Sequence, residues 1–207
     1  MFEEILQPET AALLEKFASS DWIKDFYLAG GTALALQYGH RQSIDLDWFS
    51  FNKINPDIII SNLLRTGDFK VTQKDNDTVQ GVLDEVNMSF FFYPYKMLHN
   101  FIPYLGNIFL ADPRDIAAMK IAAITGRSAK KDFIDLYFFM NKERMSLSDV
   151  FIIFDEKFSS AYDKYHVYKS LVFFEDADKE VMPMMKNPIS WDEVKDFFIR
   201  EVNKLKQ

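Results

Sequence analysis

The sequence predicts an α+β protein, with a mixed-sheet lobe over residues 1–105 and a helical lobe over residues 106–207 packed as one compact unit. Three observations predict this. Runs with strand-like alternation crowd the first half, helical spacing with capping signals dominates beyond Asp112, and residues 26–49 read as strand, glycine turn, helix, strand.

Leu13, Leu14 and Phe17 recur at helical spacing and predict a helix over residues 8–20. Phe26 to Ala29 reads as a buried strand. Thr32 to Tyr38 reads as a helix closed by Gly39 at its C-terminal end, and Ser43 to Phe49 as the next strand. Asn55-Pro56-Asp57 starts a helix that ends near Thr66-Gly67, although Ile58-Ile59-Ile60 also suits a strand. Phe69 to Gln73, Thr78 to Leu83 and Val86 to Tyr93 read as strands, the last two joined by a turn at Asp84-Glu85.

Asp112-Pro113 then supplies an N-cap and a first-turn proline for a helix that Gly126 ends. Further helices are expected from Lys131 to Asn141, Ser148 to Phe158, Asp163 to Glu175 and Trp191 to Lys206, the last with a Ser190/Glu193 capping pattern. The Phe pairs at 138–139, 173–174 and 197–198 and the run at 90–92 read as core.

A chain of 207 residues is long enough to bury roughly 70% of its unfolded surface. Its 48% apolar and 27% charged content is that of a soluble globular protein, though 21 Phe is unusually many. The absence of Cys excludes disulfides and thiolate metal sites, and three scattered His give no zinc spacing. A net charge of -7 argues against a broadly basic nucleic-acid surface, leaving Lys130-Lys131 as a candidate local basic patch. No apolar run approaches the roughly 20 residues of a membrane span, and Met1-Phe2-Glu3-Glu4 lacks the basic start of a secretory signal. The expected location is therefore the cytoplasm, with no membrane partner.

The chemistry concentrates in residues 30–47. Alternation along a strand sends Asp45 and Asp47 to one face and Ile44, Leu46 and Trp48 to the other, so both carboxylates can reach one cation. Mg²⁺ takes such oxygen ligands together with substrate phosphates, and Mn²⁺ can substitute. Gly30-Gly31 permits a turn closed to other residues, and Thr32 opens a helix whose N–H groups suit phosphate oxygens. Arg41 and Ser43 are further phosphate candidates. The plain alternatives are two solvated carboxylates, an ordinary strand-to-helix turn, and an arginine paired with a surface acid.

The string Gly30-Gly31-Thr32 with His40-Arg41-x-Ser43-x-Asp45-x-Asp47 resembles the AbiEii family of nucleotidyltransferase-fold toxins. A second string, Lys120-x-x-Ala123-x-x-x-Arg127-x-x-x-Lys131-Asp132-x-x-Asp135-Leu136, resembles the family's downstream helical motif. The resemblance implies a nucleotidyltransferase-like sheet lobe and transfer of a nucleoside monophosphate from a nucleoside triphosphate to an acceptor. RNA acceptors and a separate antitoxin, a protein that in some systems binds DNA, accompany some members. It also implies Asp45 and Asp47 as catalytic metal ligands and Lys120 and Asp135 as catalytic side chains. Gly30, Gly31, Thr32, Arg41, Ser43, Arg127 and Asp132 would then bind nucleotide.

Lys120 reads alternatively as a solvated lysine and Asp132 as a helix cap, which leaves Asp135 the better candidate to contact Lys120, a metal or the base. Many such enzymes place a third carboxylate on a later strand. The matching segment, Val86 to Phe90, offers Asn87 and Ser89 instead.

Overall fold

The computed structural model describes residues 1–159 and 161–205, and its chain divides into two compact units. The first comprises Met1–Lys96 and Asn100–Asp112; the second comprises Met97–His99 and Pro113–Gln207.

In the first unit, α1 (Pro8–Ala18) starts on a first-turn proline and buries Leu13, Leu14 and Phe17. A short 3₁₀ turn, Asp21–Asp25, leads into β1 (Tyr27–Ala29), α2 (Gly30–Tyr38) and β2 (Leu46–Ser50). Gly39, at φ +67°, ends α2 in the left-handed conformation that glycine allows. Next come α3 (Pro56–Thr66), β3 (Phe69–Lys74), β4 (Thr78–Leu83) and β5 (Val86–Phe92). The Asn55 side chain accepts from the Asp57 and Ile58 amides, and that cap selects helix over strand for Ile58-Ile59-Ile60.

Two strands were not expected from the sequence, β6 (Ile102–Leu105) and β7 (Ile108–Leu110). The described residues form a seven-stranded mixed sheet in the order β3-β4-β5-β2-β1-β7-β6. β2 runs antiparallel to β1 and parallel to β5, with Asp47 opposite Ala29 on one side and Ser89 on the other.

One sheet face is core. Trp48 and Phe90 stack at 6.1 Å, Phe17 meets Trp48 edge-on at 5.9 Å, and Phe26 meets Phe90 at 5.2 Å. The opposite face carries Asp47, Phe49, Ser89 and Phe91, all half-buried. The 90–92 run is therefore split by the pleat, with Phe90 in the core and Phe91 on the other face. Ile44, expected on the core side, is 43% exposed because β2 begins only at Leu46.

The second unit is helical: α4 (Pro113–Arg127), α5 (Lys130–Glu143), α6 (Leu147–Phe158), α7 (Lys164–Ser170), α8 (Glu175–Lys179) and α9 (Trp191–Lys204). Its core gathers Ile116, Ile121, Ile124, Phe133, Phe139, Phe154 and Phe198. Of the other Phe pairs, Phe139 and Phe198 are buried, Phe138, Phe174 and Phe197 are half-buried, and Phe173 is exposed. α4 continues past Gly126 and ends where Ser128 takes φ +47° and its hydroxyl donates to the Ile124 carbonyl. The helix expected from Asp163 to Glu175 stops at Ser170, a separate α8 begins at Glu175, and the expected end of the last helix, Lys206, lies outside the described residues.

A reciprocal capping box joins Ser146 and Asp149 at α6. Asp115, fully buried in the first turn of α4, gathers several donors. Its carboxylate accepts from the Leu98 and His99 amides at 3.0 Å each and from Lys157 Nζ at 2.9 Å, and His99 Nδ1 lies 2.8 Å away. Burial pushes the Lys157 ammonium below its ordinary value, with Asp115 opposing the shift. Lys130 does not contribute to a basic patch: it is buried, its ammonium meets the Glu180 carbonyl, and it lies 5.3 Å from the centre of the Trp191 ring. Among the described residues no helix is long and apolar enough to cross a membrane.

Candidate active site

The glycine turn and the Asp strand are built against each other. α2 begins at Gly30, two residues before the expected Thr32, with Ala29 at the N-cap position. Ala29 has no side chain that can cap, so the first amides of α2 lack the usual side-chain acceptor. Gly30 sits at φ +68°, and a Cβ there would stand 2.7 Å from Asp47 Oδ2. The Asp47 carboxylate therefore lies directly on the turn, at the positive end of α2. Gly31 follows in the first turn and is half-buried.

Thr32 is buried and turned inward: its hydroxyl meets Ser43 Oγ at 2.8 Å and donates to the Asp45 carbonyl. This staples the loop after α2 so that Asp45 enters β2 in a fixed position. Ser43 and Arg41 are buried in the same loop, where Arg41 Nη1 donates to the Gln42 carbonyl at 2.8 Å. The Thr32 and Ser43 side chains, expected at phosphate, meet each other and hold the backbone that carries the carboxylate. His40 is buried as well.

Asp45 is half-buried and accepts from Asn87 Nδ2 at 3.1 Å. Two residues on, Ser89 pairs in register with Asp47 and lies 3.4 Å from Gln80 Nε2. Asp47 on β2 thus stands beside Ser89 of β5, and Asp45, one residue before the strand begins, is held by Asn87 of β5. Asn87 was the residue whose role sequence reasoning left open, and its polar side chain at the position opposite an acid was the available signal. Asp84 and Glu85 occupy the expected turn at φ +45° and +71°, and the Asp84 carboxylate accepts from the Asp68 amide at 2.9 Å.

Among the described residues no three His, Cys, Asp or Glu side chains cluster to hold a metal ion. The two-carboxylate set still fits Mg²⁺, a hard cation that completes its shell with water and substrate phosphate rather than an all-protein cage.

The second string forms its own network in the helical unit. Lys120, on α4, places Nζ 2.7 Å from Asp132 Oδ1 and 2.6 Å from Asp135 Oδ2 on α5. Arg127 adds a fork to Asp132, with Nε at 2.8 Å and Nη2 at 3.1 Å, while its side chain remains 58% exposed. Both carboxylates and the lysine are buried. Burial alone would raise the Asp132 carboxyl, but Lys120 and Arg127 outweigh it and hold the group below the ordinary carboxylate range. The contact expected between Asp135 and Lys120 is present, and Asp132 is more than a helix cap.

A family model for the AbiEii nucleotidyl transferase toxin of type IV toxin–antitoxin systems matches residues 12–100. An uncharacterized protein of Aquifex aeolicus is 40% identical over 202 residues, covering 95% of this chain and 96% of its own. Among solved structures, the nucleotidyltransferase toxin MenT4 of Mycobacterium tuberculosis aligns with a TM-score of 0.54 at 15% identity, over 97% of this chain and 86% of MenT4. A Megavirus polyadenylate synthase aligns with a TM-score of 0.46 at 14% identity, over 66% of this chain and 32% of that longer enzyme. The matched segment runs from α1 through the glycine turn and the Asp strand to β5 and on to Asn100, and this part of the chain is an AbiEii nucleotidyl transferase toxin domain.

Proposed function

We propose that this chain is a Mg²⁺-dependent nucleotidyltransferase that moves a nucleoside monophosphate from a nucleoside triphosphate to an acceptor, with RNA as the acceptor class. The observation that carries the reading is the Asp47 carboxylate lying on Gly30 at the start of α2, with Asp45 two residues before it and hydrogen-bonded to Asn87 of β5. A cation held by the two carboxylates and phosphates received by the α2 amides then occupy adjoining positions. Mg²⁺, or Mn²⁺ in its place, would neutralise charge on the triphosphate and on the leaving pyrophosphate.

The chain's own contribution is positional. The amides of Gly30 and Gly31 receive phosphate oxygens, and the Thr32–Ser43 staple fixes the backbone at Asp45 while Asn87 orients its carboxylate. Arg41, buried in the same loop, keeps a positive charge beneath it. An acceptor hydroxyl oxygen bonds to the α-phosphorus, the bond from that phosphorus to the bridging oxygen breaks, pyrophosphate leaves, and the hydroxyl proton passes to solvent. Lys120, Arg127, Asp132 and Asp135 enter this reading as a second cluster, in which the exposed guanidinium of Arg127 offers a phosphate contact while the buried ions set its direction. We also propose that the protein acts in the cytoplasm as a toxin restrained by a cognate antitoxin, and that residues 1–105 and 106–207 work as the sheet and helical lobes of one enzyme.

Incubation with each α-labelled triphosphate, Mg²⁺ and total RNA tests the transfer. Label is expected in RNA, and Asp45→Asn and Asp47→Asn are each expected to lower the rate roughly a hundredfold or more, the scale of several kcal/mol of lost charge stabilisation. Undiminished transfer in both variants would overturn the roles given to them. A second reading, a binding module without transfer chemistry, is favoured by Asn87 and Ser89 standing where a third acid is expected. Mg²⁺-linked nucleotide binding by calorimetry, with no label transferred to any RNA, would select it.

A further inference from the structure

The sheet face that carries Asp47 presents an in-register row across three strands. Ser89 of β5 pairs with Asp47 of β2 on one side and with Gln80 of β4 on the other. The pleat sends Val79, Gly81, Met88 and Phe90 to the buried face and leaves Gln80 and Ser89 half-buried on this one. Asn87, two residues before Ser89, donates from Nδ2 to the Asp45 carboxylate at 3.1 Å. Asn and Ser fit strands poorly, because branched and aromatic side chains pack better on a pleated surface. Here they nevertheless alternate with Val86, Met88 and Phe90 in an interior strand of the seven-stranded sheet.

The contact between Gln80 and Ser89 has a direction. Gln80 Nε2 donates to Ser89 Oγ at 3.4 Å, a loose bond that occupies one lone pair and leaves the serine proton unspent. Among the described residues that O–H has no acceptor. β5 therefore offers the two carboxylates donors and no negative charge, an amide N–H at Asp45 and a hydroxyl beside Asp47. A third carboxylate at this place would ligate a cation directly. A hydroxyl instead donates to an oxygen that a cation already holds, and so fixes where that oxygen stands. In the octahedral shell of Mg²⁺, with ligands at about 2.1 Å, neighbouring oxygens lie about 3 Å apart. Strands spaced about 4.8 Å apart leave room for one such oxygen between Asp47 and Ser89.

We propose that Ser89 is a positioning residue whose O–H, held by the Gln80 amide, donates to an oxygen ligand of the cation bound by Asp45 and Asp47, a water or a phosphate oxygen. The inference rests on the cation reading above and adds the side chain that orients the ligand. Gln80 acts only through Ser89, by occupying the lone pair that points away from Asp47.

The test is Mn²⁺ binding by the whole chain, followed by electron paramagnetic resonance with the metal alone and again with an α,β-methylene triphosphate of each base in turn, so that no turnover is needed. Ser89→Ala, checked for an unchanged melting temperature, is expected to weaken binding roughly three- to tenfold, the scale of one neutral hydrogen bond. Ser89→Thr keeps the hydroxyl on a strand-favouring side chain and is expected to bind within about twofold of the parent. A loss seen with the metal alone assigns the oxygen to water, a loss seen only with the triphosphate assigns it to phosphate, and either supports the proposal. Gln80→Leu is expected to weaken binding about two- to threefold in the parent and to change nothing further in Ser89→Ala, because its influence passes through the hydroxyl. Unchanged binding in Ser89→Ala under both conditions, additive losses in the double variant, or tighter binding in Gln80→Leu would each overturn the proposal. Asp47→Asn separates the two levels. Mn²⁺ lost there but retained in Ser89→Ala removes the serine's role and leaves the cation reading standing, whereas Mn²⁺ retained in Asp47→Asn removes both.

Discussion

Gly30 combines two demands that no other residue meets together. Its φ of +68° lies in the left-handed region, and its missing side chain leaves the space that Asp47 Oδ2 fills. Gly30→Ala is expected to cost about 1–2 kcal/mol from backbone strain alone. It should also push the Asp47 carboxylate off the turn and weaken Mg²⁺-linked nucleotide binding roughly tenfold or more, on the scale of disturbed metal-site support. Thermal melting and calorimetry read the two effects separately, and an alanine variant normal in both would detach the glycine from the site. At this scale the sequence disclosed the turn at Gly30 and the spacing of Asp45 and Asp47, because a turn residue and alternating acids announce themselves locally. It did not disclose that Thr32 and Ser43 face inward, since a hydroxyl reads the same whether it meets phosphate or a carbonyl two elements away.

Between α4 and α5 the bond is ionic rather than apolar at its centre, with Lys120 held by Asp132 and Asp135 and Arg127 closing the outer side. Removing one member leaves a buried charge without its partner, so Asp132→Ala is expected to destabilise the helical unit by about 3–5 kcal/mol in chemical denaturation. The pH dependence follows in sign. The folded Asp132 carboxyl titrates below its ordinary 3.8, so its contribution is present above that value and is lost as the pH falls through it toward the folded pKa. The unit should therefore lose stability on acidification below about 4, and Asp132→Asn should flatten that part of the curve. A parent protein whose melting temperature stays level across that range would contradict the assignment. Helices were legible from caps and spacing. β6 and β7 were not, because three or four residues give almost no periodicity and Pro103 argues against a strand.

Across the whole molecule, the fold class could be read from where strand-like and helix-like patterns lie, whereas the order of strands could not. β2 joins β5 over two intervening strands, and β7 reaches back to pair with β1 at Leu28 and Leu110. Neither pairing leaves a mark in the residues between. The chain also enters the helical unit for Met97–His99, returns for Asn100–Asp112, and only then departs for good. Expressed alone, residues 113–207 would lack the Leu98 and His99 groups that satisfy buried Asp115, at about 1–3 kcal/mol for each polar group left wanting. The fragment is expected to melt well below the same unit in the full chain, and a synthetic peptide covering residues 95–101 to restore part of the loss in calorimetric scans.

That brief excursion constrains how such genes can be reshuffled. A crossover at residue 112 would graft a foreign helical half onto this sheet while leaving three residues behind with the wrong host. A viable hybrid must inherit Met97–His99 and Asp115 from the same parent.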